Sequence, residues 1–213
     1  WNPDAIYRTA RRAVLEADPA IKSKLLGGRV SRKIKGLILA PLQQLSFWKM
    51  KDRARHIGET GGHELLQKLQ CAGKSETRFH LMGHSFGCIV VSAAIAGPPS
   101  SRASPRPIDS LSLIQGALSL WSFSSMIPFA TGKVGYFNHA LTKELVRGPI
   151  VTTRSSYDKA VRKLYPFAVR LARQYLLGKD LPKYGGIGTF GAQGLGDMVE
   201  DLEMHSATQD YKF

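Results

Sequence analysis

A serine stands between two glycines in the string Gly-His-Ser-Phe-Gly at positions 83–87. A serine hydroxyl can attack a carbonyl carbon when a sharp strand-to-helix turn exposes it and a base removes its proton. The backbone of such a turn is strained and crowded, so Gly83 and Gly87 are both expected to be needed there. Ser85 is therefore the predicted nucleophile. The Phe86 amide, at the start of the following helix, is the predicted donor to the oxyanion of acyl transfer.

The residues on either side predict the strand and the helix that this turn requires. Arg78–Met82 is typical of a strand, and Phe86–Ala96 is an unbroken run of apolar and small residues. The Gly-Pro-Pro string at 97–99 then ends the predicted helix. The order of strand, turn and helix favours a nucleophile elbow over the alternative, an ordinary strand–helix junction with glycines at its turn.

The carboxylate that would assist Ser85 is sought after a late strand, because the order serine, acid, histidine is expected for this kind of site. The predicted strand Pro149–Thr153 runs into a polar turn that contains Asp158. Asp158 can equally cap a helix that starts at Lys159. The other candidates for the acid are Asp109, Asp180 and Asp197.

The base is the least defined group of this predicted site. Five of the six histidines precede Asp158, which leaves His205 as the candidate. The alternative for His205 is a surface histidine near the end of the sequence. Neither Cys71 nor Cys88 has a partner at the spacing of a metal site, and neither a cofactor nor a metal is predicted.

The pentapeptide with its flanks resembles the α/β-hydrolase superfamily. Three longer strings are similar to poorly characterised bacterial serine hydrolases of that fold: Gln44–Arg55, Gln115–Trp121 and Val151–Asp158. The resemblance covers most of the chain. It implies that Ser85 is the nucleophile and Asp158 the acid.

The same resemblance does not match His205 to the histidine of the family. In such proteins a His-Gly oxyanion loop precedes the region that matches Trp1, and a histidine-bearing loop follows the region that matches Phe213. The resemblance thus implies an incomplete hydrolase, in which His205 is remote from Ser85 and the chain alone has little or no activity.

Hydrophobic patterning predicts one α/β domain over 1–213, with a mostly parallel sheet and flanking helices. The segment 1–72 is predicted to be mainly helical, with glycines at 58, 61 and 62 interrupting it, and 77–213 is predicted to be the sheet-and-helix core. Further strands are predicted at 111–114, continuing to about 118, and at 149–153. The aromatic-rich segment 116–147 either lines an acyl pocket or covers the core.

Composition limits the class of protein. No apolar stretch is long enough to cross a bilayer and no signal-peptide pattern is present, so a soluble protein is expected. Two cysteines make no disulfide framework, which fits a reducing cytoplasm, with Cys88 expected to be a small packed thiol. The net charge of +14 is spread along the chain without a nucleic-acid-binding motif. Solvated basic faces are therefore expected, and no nucleic acid partner.

These observations predict a serine hydrolase that acts on a carboxylic ester or a related small-molecule acyl substrate through an acyl-enzyme on Ser85. One alternative is a catalytically incomplete α/β-hydrolase-like fragment that serves as a binding module. A basic nucleic-acid-binding domain is the other alternative, and it would lose affinity steeply with salt.

Overall fold

A parallel sheet of three strands lies at the centre of the described part of the chain. The computed structural model describes residues 47–98, 104–155 and 185–204. β1 (His80–His84) pairs with β2 (Ser110–Ile114), and β2 pairs with β3 (Ile150–Thr153). Because the three strands are parallel, their carboxyl ends share one edge of the sheet.

Helices flank this sheet, and with it they confirm the predicted α/β class in outline. They are α1 (described from 47 to 57), α2 (His63–Ala72), α3 (Gly87–Ala96), α4 (Asn138–Thr142) and α5 (Ile187–Phe190). A π-helical turn at Gly58–Gly62 joins α1 to α2, and a 3₁₀ turn covers Gly196–Met198. The helices predicted before residue 47 lie outside the described residues.

Helix α3 is buried on most of its surface, since it packs against β1 and β2 on one side and the π-helical turn on another. A helix that is apolar all round is expected in such a position. It ends where Gly97 takes a φ of +67°, as the Gly-Pro-Pro string predicted. Cys88 in its first turn is fully buried with Sγ 3.1 Å from the Gly83 carbonyl oxygen, and burial raises the pKa of this thiol to about 11. The prediction of a packed thiol is confirmed.

The sequence predicted that the glycines at 58, 61 and 62 would interrupt the helix. This prediction is wrong. The chain instead widens into the π-helical turn and continues directly into α2. A Cβ at Gly58 would lie 2.6 Å from the Ala93 Cβ, and closer still to the Val90 carbonyl oxygen. Gly58 therefore serves the close approach of this turn to α3 rather than a break in the helix.

A buried carboxylate in the π-helical turn ties the helices to the aromatic segment. Glu59 is only 5% exposed and accepts hydrogen bonds from Arg55 Nη1, at 2.5 Å, and from the Tyr136 hydroxyl. Arg55 Nη2 also donates to Asp52 at 2.8 Å. Both oxygens of the carboxylate are thus bound, which is the condition under which a buried charge is tolerated.

The aromatic segment divides between two environments. Phe123 and Phe137 are buried in the main core with their ring centroids 6.0 Å apart, and Trp121 packs with Phe190 in a smaller cluster. Phe129 is exposed and meets Trp121 edge to face. The buried members therefore cover the core, which is one of the two roles that the sequence left open.

Lys51 on α1 lies between two aromatic rings, and its ammonium group has a lowered pKa. Its Nζ lies 5.5 Å from the Phe47 ring centroid and 5.3 Å from that of Trp48, and burial lowers its pKa from 10.5 to about 8. Below pH 8 the folded state carries the full cost of charging this partly buried lysine. Between pH 8 and 10.5 the unfolded state binds more protons, so stability rises with pH. Lys51→Met is expected to be more stable than wild type by about 1–2 kcal/mol at pH 7.

Urea unfolding at pH 7 and at pH 10 measures this effect, and the advantage of Lys51→Met is expected to shrink at the higher pH. Lys74, which is exposed, provides the matched control: Lys74→Met should change stability by only a few tenths of a kcal/mol at either pH. A Lys51→Met variant no more stable than wild type at pH 7 would contradict the assignment.

Candidate active site

Ser85 lies at the turn between β1 and α3, where the sequence predicted it. Its φ is +53°, in the left-handed region that residues other than glycine rarely adopt. The side chain is partly exposed at the carboxyl edge of the sheet. A strained serine between a strand and a helix is the backbone arrangement expected of a nucleophile elbow.

The end of β2 holds this strained backbone from both sides. The Ser85 N–H donates to the Ile114 carbonyl oxygen at 3.1 Å. The Ser85 carbonyl oxygen accepts from Ala117 N at 3.0 Å and from Cys88 N at 3.2 Å. Two of these three bonds come from residues about thirty positions away, so the turn depends on the pairing of β1 with β2.

The two glycines of the pentapeptide differ in what surrounds them. A Cβ at Gly83 would lie 2.6 Å from the backbone of Cys88 and Gly87, so no side chain fits there without a shift of the main chain. A Cβ at Gly87 would meet none of the described residues within 4 Å. The prediction that both positions need glycine is confirmed for Gly83, but crowding by the described residues does not require it at Gly87.

The amide predicted to bind the oxyanion lies at the start of α3. Within the described residues the Phe86 N–H has no backbone acceptor, whereas the Phe86 carbonyl accepts from Ile89 N at 3.0 Å. The Phe86 ring packs on Phe47, with their centroids 5.2 Å apart, which fixes the start of the helix against α1. An unbound N–H in the first turn of a helix can stabilise a negative charge beside it.

Of the predicted acids, only two lie in the described residues and neither contacts Ser85. Asp109 precedes β2, at the opposite edge of the sheet, where it accepts from Phe79 N at 2.8 Å and faces Arg147 Nη1 at 3.5 Å. The Phe79 hydrogen bond, more than Arg147, lowers the pKa of Asp109. Asp197 is exposed in the 3₁₀ turn. Asp158 and Asp180 lie outside the described residues.

The candidate base, His205, also lies outside the described residues, so its predicted distance from Ser85 stays a prediction. Among the histidines that the structure describes, none hydrogen-bonds to Ser85. His80 Nδ1 is 2.7 Å from Ser110 Oγ at the amino end of the sheet, and His63 Nδ1 is 2.6 Å from the Ala94 carbonyl oxygen in the interior. His84 is exposed next to Ser85.

The turn at Gln115, at the carboxyl edge of the sheet, was not predicted from the sequence. Sequence patterns predicted that the second strand continues to about residue 118, but β2 ends at Ile114 because Gln115 has a φ of +46°. The Gln115 N–H donates to Thr153 Oγ1 at 3.0 Å. The Gln-Gly pair at 115–116 was the available signal, since glycine after a strand marks a turn.

No protein family, curated protein or solved structure matches the chain in the three comparisons made. Within the described ranges, no helix has the length and apolar character needed to span a bilayer.

Proposed function

We propose that this chain belongs to a serine hydrolase of the α/β-hydrolase type that cleaves a carboxylic ester or a related acyl substrate. The observation that carries the proposal is the backbone of Ser85, a non-glycine residue at φ +53° between a parallel strand and a helix. Backbone strain of this kind is concentrated at active sites and ligand-binding sites. The three-stranded parallel order supports the fold assignment, since Asp158 follows β3 along the chain as the acid of such a site would.

In the proposed reaction the Ser85 oxygen attacks the carbonyl carbon while its proton passes to a base. The Phe86 amide would stabilise the oxyanion, and the collapse of the tetrahedral species would expel the alcohol, which takes up the proton, and leave an acyl-serine. Water would then release the acid by the same route. Within this sequence His205, with Asp158 as its partner, is the proposed base; this proposal departs from the family resemblance, which implies that His205 is remote from Ser85 and that the chain alone has little or no activity. A cytoplasmic location is part of the proposal, because Cys71 and Cys88 are both free thiols.

Covalent labelling tests the proposal directly. The chain is incubated with a fluorophosphonate, and the adduct is located by intact mass and peptide mapping. One adduct on Ser85 is expected in the wild type and none in Ser85→Ala. Ser125→Ala, which removes an exposed hydroxyl that bonds to the Gly194 carbonyl oxygen, is the matched control and should label like the wild type.

The second candidate function is that of a binding module with the same fold. The observation that favours it is that no histidine among the described residues pairs with Ser85. A serine without a base reacts slowly with a fluorophosphonate, so a folded wild type that takes up no label would favour the module and contradict hydrolysis by this chain.

A further inference from the structure

The loop formed by residues 125–135 carries exposed apolar side chains on the surface of the described part of the chain. Met126 and Val134 are 67% and 57% exposed. A Cβ built on Gly132, near the tip of the loop, would meet none of the described residues within 4 Å. Apolar side chains that are grouped on an exposed surface mark a contact with a partner or with a membrane.

The backbone of the loop brings these two side chains to opposed positions. The Ile127 N–H donates to the Lys133 carbonyl oxygen at 3.0 Å, so the two arms of the loop are paired next to Met126 and Val134. Ile127 itself packs inward, against the smaller core cluster that contains Trp121. The loop therefore has one side chain that anchors it to the core and an outer apolar pair.

Hydrogen bonds also fix the base of the loop. Ser124 is fully buried, and its Oγ donates to the Met126 carbonyl oxygen at 2.6 Å. The Gly135 N–H donates to the Ser124 carbonyl oxygen at 2.7 Å, and the Ser125 N–H donates to the Gly194 carbonyl oxygen at 3.2 Å. Because the loop is held at its base and across its arms, little conformational entropy is lost when its exposed side chains bind another surface.

The charges of this part of the sequence favour a lipid surface over a protein partner. No aspartate or glutamate occurs between residues 110 and 143, whereas Lys133, His139 and Lys143 do, and Lys133 is exposed in the loop. Apolar side chains beside lysine are the combination found in segments that enter the interface of a bilayer. A protein partner would ordinarily be met by a polar rim with many hydrogen-bonding groups around the apolar patch.

We infer that the 125–135 loop binds the surface of an anionic phospholipid bilayer, with Met126 and Val134 inserted among the lipids and Lys133 at the headgroups. Moving two exposed apolar side chains out of water is favourable. A lysine near an anionic membrane surface adds to the attraction, and the net charge of +14 acts in the same direction. This inference does not depend on the proposed hydrolase function.

Co-sedimentation of the chain with sucrose-loaded vesicles tests this inference. Wild type is expected to bind vesicles of phosphatidylcholine mixed with phosphatidylglycerol, and to bind vesicles of phosphatidylcholine alone more weakly. The double variant Met126→Ser/Val134→Ser should bind the mixed vesicles about tenfold more weakly, because its loop has no large apolar side chain to insert at these positions. Lys133→Gln should weaken binding to the mixed vesicles about fivefold and leave binding to phosphatidylcholine unchanged.

Leu65→Ser/Leu69→Ser is the matched control. Both leucines are exposed, at 58% and 50%, but they lie on α2. This variant should bind the mixed vesicles as wild type does, and all variants should keep the circular dichroism spectrum of wild type. A wild type that does not sediment with the mixed vesicles overturns the inference, as does a Met126→Ser/Val134→Ser variant that binds them like wild type. Sedimentation velocity without vesicles examines the other occupant: dimers of wild type that this double variant abolishes would assign the loop to a contact between copies and also overturn it.

Discussion

Replacing Gly83 with valine is expected to lower the free energy of unfolding by about 3 kcal/mol. The added Cβ would lie 2.6 Å from the Cys88 nitrogen and from the carbonyl group of Gly87. These are backbone atoms in the first turn of α3, so they cannot move aside as the end of a long side chain would. Relief requires α3 to shift away from β1, which would also break the bonds that Ser85 makes to Ile114 and Ala117. Urea unfolding monitored by circular dichroism measures the loss.

Gly87→Ala is the matched control for the substitution at Gly83. It stands in the same pentapeptide, but a Cβ there meets none of the described residues within 4 Å. At the first position of a helix, alanine is expected to leave stability unchanged or to raise it by a few tenths of a kcal/mol. Equal stability of Gly83→Val and wild type would show that the turn is not tight. A large loss of stability in Gly87→Ala would contradict the assignment of the crowding to Gly83.

Changing Ser85 is expected to affect activity and stability in opposite directions. Ser85→Gly removes the nucleophilic oxygen, so kcat for ester hydrolysis should fall by about a thousandfold or more. The same change lets a glycine occupy φ +53°, and the free energy of unfolding should rise by about 1 kcal/mol. Ester turnover at saturating substrate and urea unfolding of the same preparation measure the two effects.

Ser85→Ala separates the two effects, because it removes the oxygen but keeps a Cβ in the left-handed region. It should lose activity as Ser85→Gly does, without the gain in stability. Turnover retained in both variants would mean that another group attacks the substrate. Stability unchanged in Ser85→Gly would mean that the turn holds no strain at this residue.

The strand, turn and helix around Ser85 could be predicted from sequence because their determinants are close together along the chain. Gly83 is needed to avoid Cys88, five positions away, and the small residues of α3 follow at once. The turn at Gln115 could not be predicted in the same way. What holds it is the hydroxyl of Thr153, thirty-eight positions further on, together with the close approach of Gly188.

The π-helical turn shows a related limit of sequence patterns. Clustered glycines usually end a helix, and nothing local distinguishes Gly58 from such a terminator. The reason for glycine is the carbonyl group of Val90 on α3, which only the packed structure brings near. Likewise, the apolar pattern of β1 placed the strand two residues early, because its true bounds follow from pairing with β2.

The hydrogen bond between Glu59 and Tyr136 joins residues that are seventy-seven positions apart, and the stretch it closes includes β1, α3 and β2. Closing a flexible loop of that length costs about 4 kcal/mol of chain entropy. Because of this entropy cost, the Glu59–Tyr136 hydrogen bond is expected to form only after the strands between the two residues have paired. The hydrogen bonds around Glu59 are therefore expected to slow unfolding, because they hold the finished strands and helices together. They should contribute little to the rate of folding.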